Sequence, residues 1–255
     1  MQKLIVGNWK MNKSVKEAIS FIQEFKKLVK NNKVDIVICP PFTLLHEMRK
    51  SIKNTKIKLG AQNMHFEDSG AYTGDISPLM LKEIGCEYVI LGHSERREFF
   101  GEDNTLISKK VIAAIKHSLK PILCIGETLE QRTGGQAKSV IETQLKDCLK
   151  NIKNDQISKV SIAYEPVWAI SRGDPSHKAA TSEDAEKGHK LIREVLAKMY
   201  GGNIAKNIRI IYGGSMKPEN AKELMAMPNI DGGLVGNASL NAKSFAEIVN
   251  AAQTF

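Results

Sequence analysis

A chain of 255 residues with 42% hydrophobic and 25% charged side chains, 19 Gly and 8 Pro is globular in composition, which excludes a disordered or collagen-like chain. That length buries a sizeable core without disulfide or metal staples, and fits two small domains or one large α/β unit. The net charge of +9 admits nucleic acid, an anionic membrane surface or anionic substrates as partners. The lysines, however, are scattered through helix-like stretches such as 26–30 and 50–53, and no aromatic residues interleave them to make a single-strand stacking platform.

Residues 1–7 hold one short apolar stretch, too brief for a signal-peptide core. Within it, Leu4-Ile5-Val6 is the first of eight short, largely β-branched runs. Val15, Ala18, Ile19, Ile22, Phe25 and Val29 follow at helical spacing, opened by Ser14 and Glu17 as an S-x-x-E capping box. The next runs are Ile36-Val37-Ile38, Ile57-Lys58-Leu59, Tyr88-Val89-Ile90-Leu91, Ile122-Leu123-Cys124-Ile125 and Val160-Ser161-Ile162-Ala163. Thr181, Glu183 and Asp184 then mark a helix start, where acidic side chains complement the dipole. Ile208-Arg209-Ile210-Ile211 is the seventh run, Pro218 suits the first turn of the helix after it, and Gly233-Leu234-Val235 is the eighth.

The near-continuous apolar character of most of these runs is that of a buried parallel sheet. Eight alternating units without a linker, and without a G-x-G-x-x-G turn after the first, favour a closed barrel over an open doubly wound sheet. The expected architecture is one α/β domain over 1–255, an eight-stranded parallel (β/α) barrel. No apolar run is longer than residues 111–115, so no bilayer span is expected. Cys39, Cys86, Cys124 and Cys148 lack C-x-x-C spacing and read as buried free thiols of a reducing compartment, which points to the cytoplasm.

Active-site groups of such a barrel project from the carboxyl ends of the strands. Polar residues crowd there: Asn8, Lys10 and Asn12 after the first run, His93-Ser94-Glu95-Arg96-Arg97 after the fourth, and Glu165 after the sixth. Gly213-Gly214-Ser215 and Gly236-Asn237 follow the last two. One Lys, one His and one Glu from three strands therefore converge on one mouth. These residues carry a resemblance. N-W-K-M-N at 8–12, G-H-S-E-R-R at 92–97 and Y-E-P-V-W-A at 164–169 resemble the three catalytic signatures of the triosephosphate isomerase family, in order and on the right strands. Residues 39–45, 60–63 and 231–240 extend the likeness essentially from end to end.

The resemblance implies interconversion of dihydroxyacetone phosphate and glyceraldehyde 3-phosphate through an enediol(ate), in glycolysis and gluconeogenesis. Glu165 is then the base, a role that suits a carboxylate stripped of water when the site closes. His93 polarises the carbonyl as a neutral ring favoured by the helix N-terminus beside it. Lys10 sets a fixed positive charge against the enediolate, with Asn8 supporting that corner. Glu95 matches a family carboxylate close to Lys10; an ion pair with a local Arg is the alternative. His46, His65, His117, His177 and His189 read as structural.

The phosphate is expected mostly on main-chain N–H groups, with Ser215, Gly236 and Asn237, together with Ser171 on the lid, as the matching positions. Neither a cofactor nor a metal is implied, and no His, Asp and Glu cluster has ligand spacing. Two segments depart from the family pattern. Where it reads G-G-A-S-L, this chain has Gly236-Asn237-Ala238-Ser239-Leu240, and Asn tolerates left-handed geometry, so an N–H donor is kept. In the lid, about 166–180, Ser171-Arg172-Gly173 replaces a Gly-rich tip, and Asp174-Pro175-Ser176-His177 reads as a four-residue insertion. A longer lid that still closes, with the Ser171 N–H on the phosphate, is expected. Poor closure, with loss of phosphate from the enediolate, is its alternative.

Thr73, at the tip of the loop about 64–75, matches a dimer loop that reaches toward the partner's Asn12 and Lys10, so a homodimer is expected. The expected partners are triose phosphates and a second copy, not nucleic acid or a membrane. Two readings compete. Another aldose–ketose phosphosugar isomerase barrel would keep the cradle without the Lys–His–Glu set. A basic polyanion-binding protein would need no Glu165 and would bind with steep salt dependence.

Overall fold

The computed structural model describes residues 1–29, 33–170 and 180–255. Its strands are β1 (Leu4–Asn8), β2 (Asp35–Cys39), β3 (Ile57–Ala61), β4 (Tyr88–Leu91), β5 (Lys120–Ile125), β6 (Ser161–Tyr164), β7 (Ile210–Tyr212) and β8 (Gly232–Val235). They pair in parallel in chain order, and β1 closes the ring on β8. The expected eight-stranded barrel is the one observed.

The helices around it are α1 (Val15–Leu28), α2 (Leu45–Ser51), α3 (Pro78–Glu83), α4 (Ser94–Phe100), α5 (Asn104–Lys116) and α6 (Leu129–Thr133). They continue as α7 (Ala137–Leu149), α8 (Ser182–Tyr200), α9 (Gly202–Ala205), α10 (Pro218–Ala226) and α11 (Ala242–Ala252). Among the described residues, no helix is long and apolar enough to cross a membrane.

Most strand runs read as near-continuously apolar because both of their faces are buried. Leu4, Val6, Val37, Ile90, Ile122 and Ile211 fill the barrel, while Ile5, Ile36, Val89 and Leu123 belong to the shell under the helices. At the amino-terminal end Asp35 accepts from Lys58 and Arg209, each at 2.7 Å, and Arg209 also donates to the Tyr88 hydroxyl. Burial alone would raise the Asp35 carboxyl, but the two cations outweigh it and hold the group below the usual carboxylate range. That plug leaves the carboxyl-terminal mouth as the open end.

Local signals set the helix starts. Ser14 and Glu17 form the expected capping box, Thr181 accepts from the Asp184 N–H, and Pro218 opens α10. One expectation is corrected. The buried face of α1 is Ala18, Phe21, Ile22 and Phe25, whereas Val15 is exposed and Val29 lies beyond the last turn. Phe21 earns its place by packing edge-on against Trp9, with ring centroids 5.0 Å apart, and by stacking on Phe25. All four cysteines are buried free thiols.

Candidate active site

Eight predicted residues and Asn12 line one cleft of about 790 Å³ at the carboxyl-terminal mouth: Asn8, Lys10, Asn12, His93, Glu95, Glu165, Ser215, Gly236 and Asn237. Each comes from a strand end or the turn after it, so the closing of the barrel brings them together.

Lys10 follows β1 with φ 52°, a left-handed backbone that a side chain with a Cβ seldom adopts. Two amides hold it there. Its N–H donates to Asn8 Oδ1 at 3.1 Å, and Gln62 Nε2 donates to its carbonyl at 2.9 Å while also bonding the Cys39 carbonyl. The ammonium meets Glu95 Oε1 at 2.6 Å, so Glu95 sits on Lys10 as the resemblance implied.

His93 is the N-cap of α4, and its Nδ1 accepts the Glu95 N–H at 3.2 Å. An acceptor nitrogen carries no proton, so the neutral ring presents Nε2–H to the cleft, an assignment that follows from the hydrogen bond. Arg97 braces the turn before it, donating to the Gly92 and Cys124 carbonyls at 2.8 and 3.2 Å.

Glu165 is 2% exposed. Its Oε2 accepts the Ser94 N–H at 2.9 Å. Oε1 lies 3.1 Å from His93 Nε2 but off the N–H axis, which leaves this buried oxygen without a hydrogen bond. Gly213 makes room beneath it, since a Cβ there would come within 2.7 Å of Glu165 Cγ. The Cys124 thiol below is pushed up, first by burial and then by the Glu165 charge.

The opposite wall is the turn after β8. Gly236 begins a 3-10 turn, Asn237–Leu240, whose first N–H groups have no partner within the turn. A Cβ at Gly236 would sit 3.7 Å from Lys10 Cε, so this cradle adjoins the ammonium. Trp9 Nε1 anchors the turn through the Ser239 carbonyl at 3.1 Å.

One expectation changes here. Asn237 is not left-handed, so its tolerance for that geometry is not called upon. Ser215 lines the cleft, and its N–H donates to the Ala169 carbonyl at 3.2 Å.

Several functional neighbours carried no signal in the sequence. Gln62 was visible only as part of a resembling run, and the Ser94 role is a backbone one. Glu127, fully buried, accepts from Trp168 Nε1 at 2.9 Å, the Tyr164 hydroxyl and Arg132 at the base of the lid. Its place just past β5 was the available clue. Ser171, Arg172 and the insertion at 174–177 lie outside the described residues. Thr73 is exposed in its loop, away from the cleft, beside Tyr72, whose ring lies tilted against His65.

A parallel barrel that gathers a buried carboxylate with one free oxygen, an imidazole and an ammonium beside an anion cradle defines an enzyme that moves protons on a small phosphorylated substrate. The comparisons with known proteins narrow that class. The family model described as "Triosephosphate isomerase" matches residues 3–252. A triosephosphate isomerase of Clostridium botulinum (strain Loch Maree / Type A3) is 52% identical over 247 residues, covering 97% of this chain and 98% of that protein. Those of Caldanaerobacter subterraneus subsp. tengcongensis and Thermoanaerobacter pseudethanolicus are each 51% identical over the same shares. The chain belongs to the triosephosphate isomerase family and is an isomerase.

Proposed function

We propose that this isomerase interconverts dihydroxyacetone phosphate and D-glyceraldehyde 3-phosphate with Glu165, His93 and Lys10 as its proton-handling and charge-stabilising groups. The observation that carries this reading is Glu165 Oε1, buried, unpaired and 3.1 Å from the His93 nitrogen that bears the proton. Glu165 takes the proton from the carbon beside the carbonyl. His93 Nε2–H supports the oxygen as charge develops, gives it the proton and recovers one from the neighbouring oxygen. Lys10 holds the negative charge that builds between these steps, where a fixed cation in a water-poor site counts most. Glu165 then returns its proton to the other carbon. Oxidation of one carbon balances reduction of its neighbour, so the named residues carry every proton and no cofactor is invoked.

The phosphate rests on Gly236, Asn237 and Ser215, with Ser171 added by the resemblance as the lid over 166–180 closes. The domain is a single (β/α) barrel over 1–255, acting in glycolysis and gluconeogenesis. It works as a homodimer in which Thr73 reaches the partner subunit's Asn12.

Steady-state isomerisation of glyceraldehyde 3-phosphate by the intact chain and by Glu165→Asp tests the assignment. Withdrawing the carboxylate by one methylene keeps its charge but spoils its reach, and a loss of about 10²-fold or more in kcat is expected. A variant as active as the parent would overturn Glu165 as the base.

A further inference from the structure

Outside the barrel, one side chain of α7 holds the segment that packs against the Glu165 backbone. Gln144, on the inner side of α7, donates through Nε2 to the Gly126 carbonyl at 3.2 Å. Its Oε1 accepts the N–H of the same residue at 2.8 Å. One planar amide thus satisfies both main-chain groups of Gly126, the first residue past β5. Those groups lie beyond the ladder that would otherwise pair them.

The other side of this segment carries Glu165. The Glu165 N–H donates to the Ile125 carbonyl at 2.7 Å and the Val167 N–H to the Glu127 carbonyl at 3.0 Å. Between those bonds Gly126 presses on the Glu165 peptide so closely that a Cβ at 126 would collide with the Glu165 carbonyl oxygen. Residues 125–127 are therefore a shelf, carrying the backbone of Glu165 on one edge and clipped to a helix on the other. Nothing in Gln144 reaches the cleft itself.

We infer that Gln144 is a positioning residue for the isomerase reaction, setting through Gly126 the height at which the Glu165 carboxylate meets substrate. This rests on the reading of Glu165 as the base. Without the clip, the Gly126 peptide turns to recover its hydrogen bonds from water, and the Glu165 backbone moves with the shelf. Proton transfer at hydrogen-bond reach is sensitive to such shifts, whereas the phosphate cradle after β7 and β8 is held by other contacts. The loss belongs in kcat and not in KM.

The test is a kinetic cycle on the full chain, with Gln144→Leu made alone and with Glu165→Asp. Leu keeps much of the bulk of the side chain and removes both bonds. Expected are a fall in kcat of about tenfold with KM within about twofold. In the Glu165→Asp background the same change should cost clearly less, since the carboxylate is already out of place. An unchanged kcat, a loss confined to KM, or an equal fold-loss in both backgrounds would overturn the inference. Should the Leu variant fail to fold, Gln144→Glu keeps the acceptor for the Gly126 N–H and loses the donor. An intermediate kcat is expected of it, and parental kinetics would count as refutation. Glu165→Asp alone tests the underlying reading: if it is fully active, the base assignment falls whatever Gln144 does.

Discussion

Lys10 stands at a position where stability and function pull in opposite directions. Its φ of 52° costs a residue with a Cβ on the order of 1–2 kcal/mol relative to glycine. Asn8 and Gln62 hold the strained peptide from both sides, and the strain places the ammonium between Glu95 and the Gly236 turn. Replacing Lys10 by glycine relieves the backbone and removes the charge together. The ion pair lost with Glu95 is partly exposed, and such pairs contribute little. Lys10→Gly is therefore expected to be as stable as the parent, or more stable by about 1 kcal/mol, in urea unfolding. Its kcat/KM should fall by about 10²-fold or more, as for loss of a group that meets developing charge. A variant that loses stability, or keeps its activity, would contradict this account.

At the scale of elements, α8 shows how a helix is locked to the barrel and what that does in acid. His189 is fully buried on it, with Nδ1 2.7 Å from the Ala185 carbonyl and its ring against Tyr164 and Tyr212. Burial pushes its pKa from 6.5 down to about 4, because the charged ring has no water there. Between these two values the unfolded chain binds a proton that the folded chain refuses. This stability is complete above about pH 6.5 and declines as pH falls toward 4, by up to about 3 kcal/mol. Urea unfolding at stepped pH across that window should show the decline, and His189→Leu should remove most of that slope. Equal slopes in parent and variant would place the acid sensitivity elsewhere.

The sequence marked His189 only as structural, and the contrast with the candidate catalytic residues is instructive. The places of Lys10, His93 and Glu165 were legible because an eight-fold strand count turns every strand end into a place at the mouth, and their roles came from the resemblance of the motifs around them. Ser14 and Thr181 were legible because caps act over three residues. Phe21 was not, since its claim on the core depends on Trp9, a residue from another element. Gln62 and Gln144 bond main-chain groups distant in the chain, and Glu127 gathers side chains from β6 and the turn after it; such contacts leave no periodicity to read.

At the scale of the molecule, the loop over 64–75 is the feature a lone barrel does not explain. It is internally ordered: Tyr72 lies on the His65 ring at 4.0 Å, His65 stacks on Phe66, and the Asp75 N–H donates to the Tyr72 carbonyl. Asp68 ties its base to Lys116 and His117 on the barrel side. Yet Tyr72 remains 44% exposed and Thr73 stands beside it in solvent. Ordering a long loop costs conformational entropy that an exposed tip does not return. A second copy would return it. Met11, between Lys10 and Asn12, is 95% exposed and offers an apolar surface at the rim of the site. If the loop docks there, the partner steadies the Lys10 turn, and assembly and catalysis are coupled. Sedimentation equilibrium should then give twice the chain mass of 28.2 kDa. Thr73→Arg puts a bulky charge at the docking point and should yield a folded species of single mass. Its kcat should be lower by about tenfold, from loss of the support to Lys10. A variant that stays dimeric and fully active would remove Thr73 from the interface. A parent of single mass at micromolar concentration would leave the ordered loop in need of another partner.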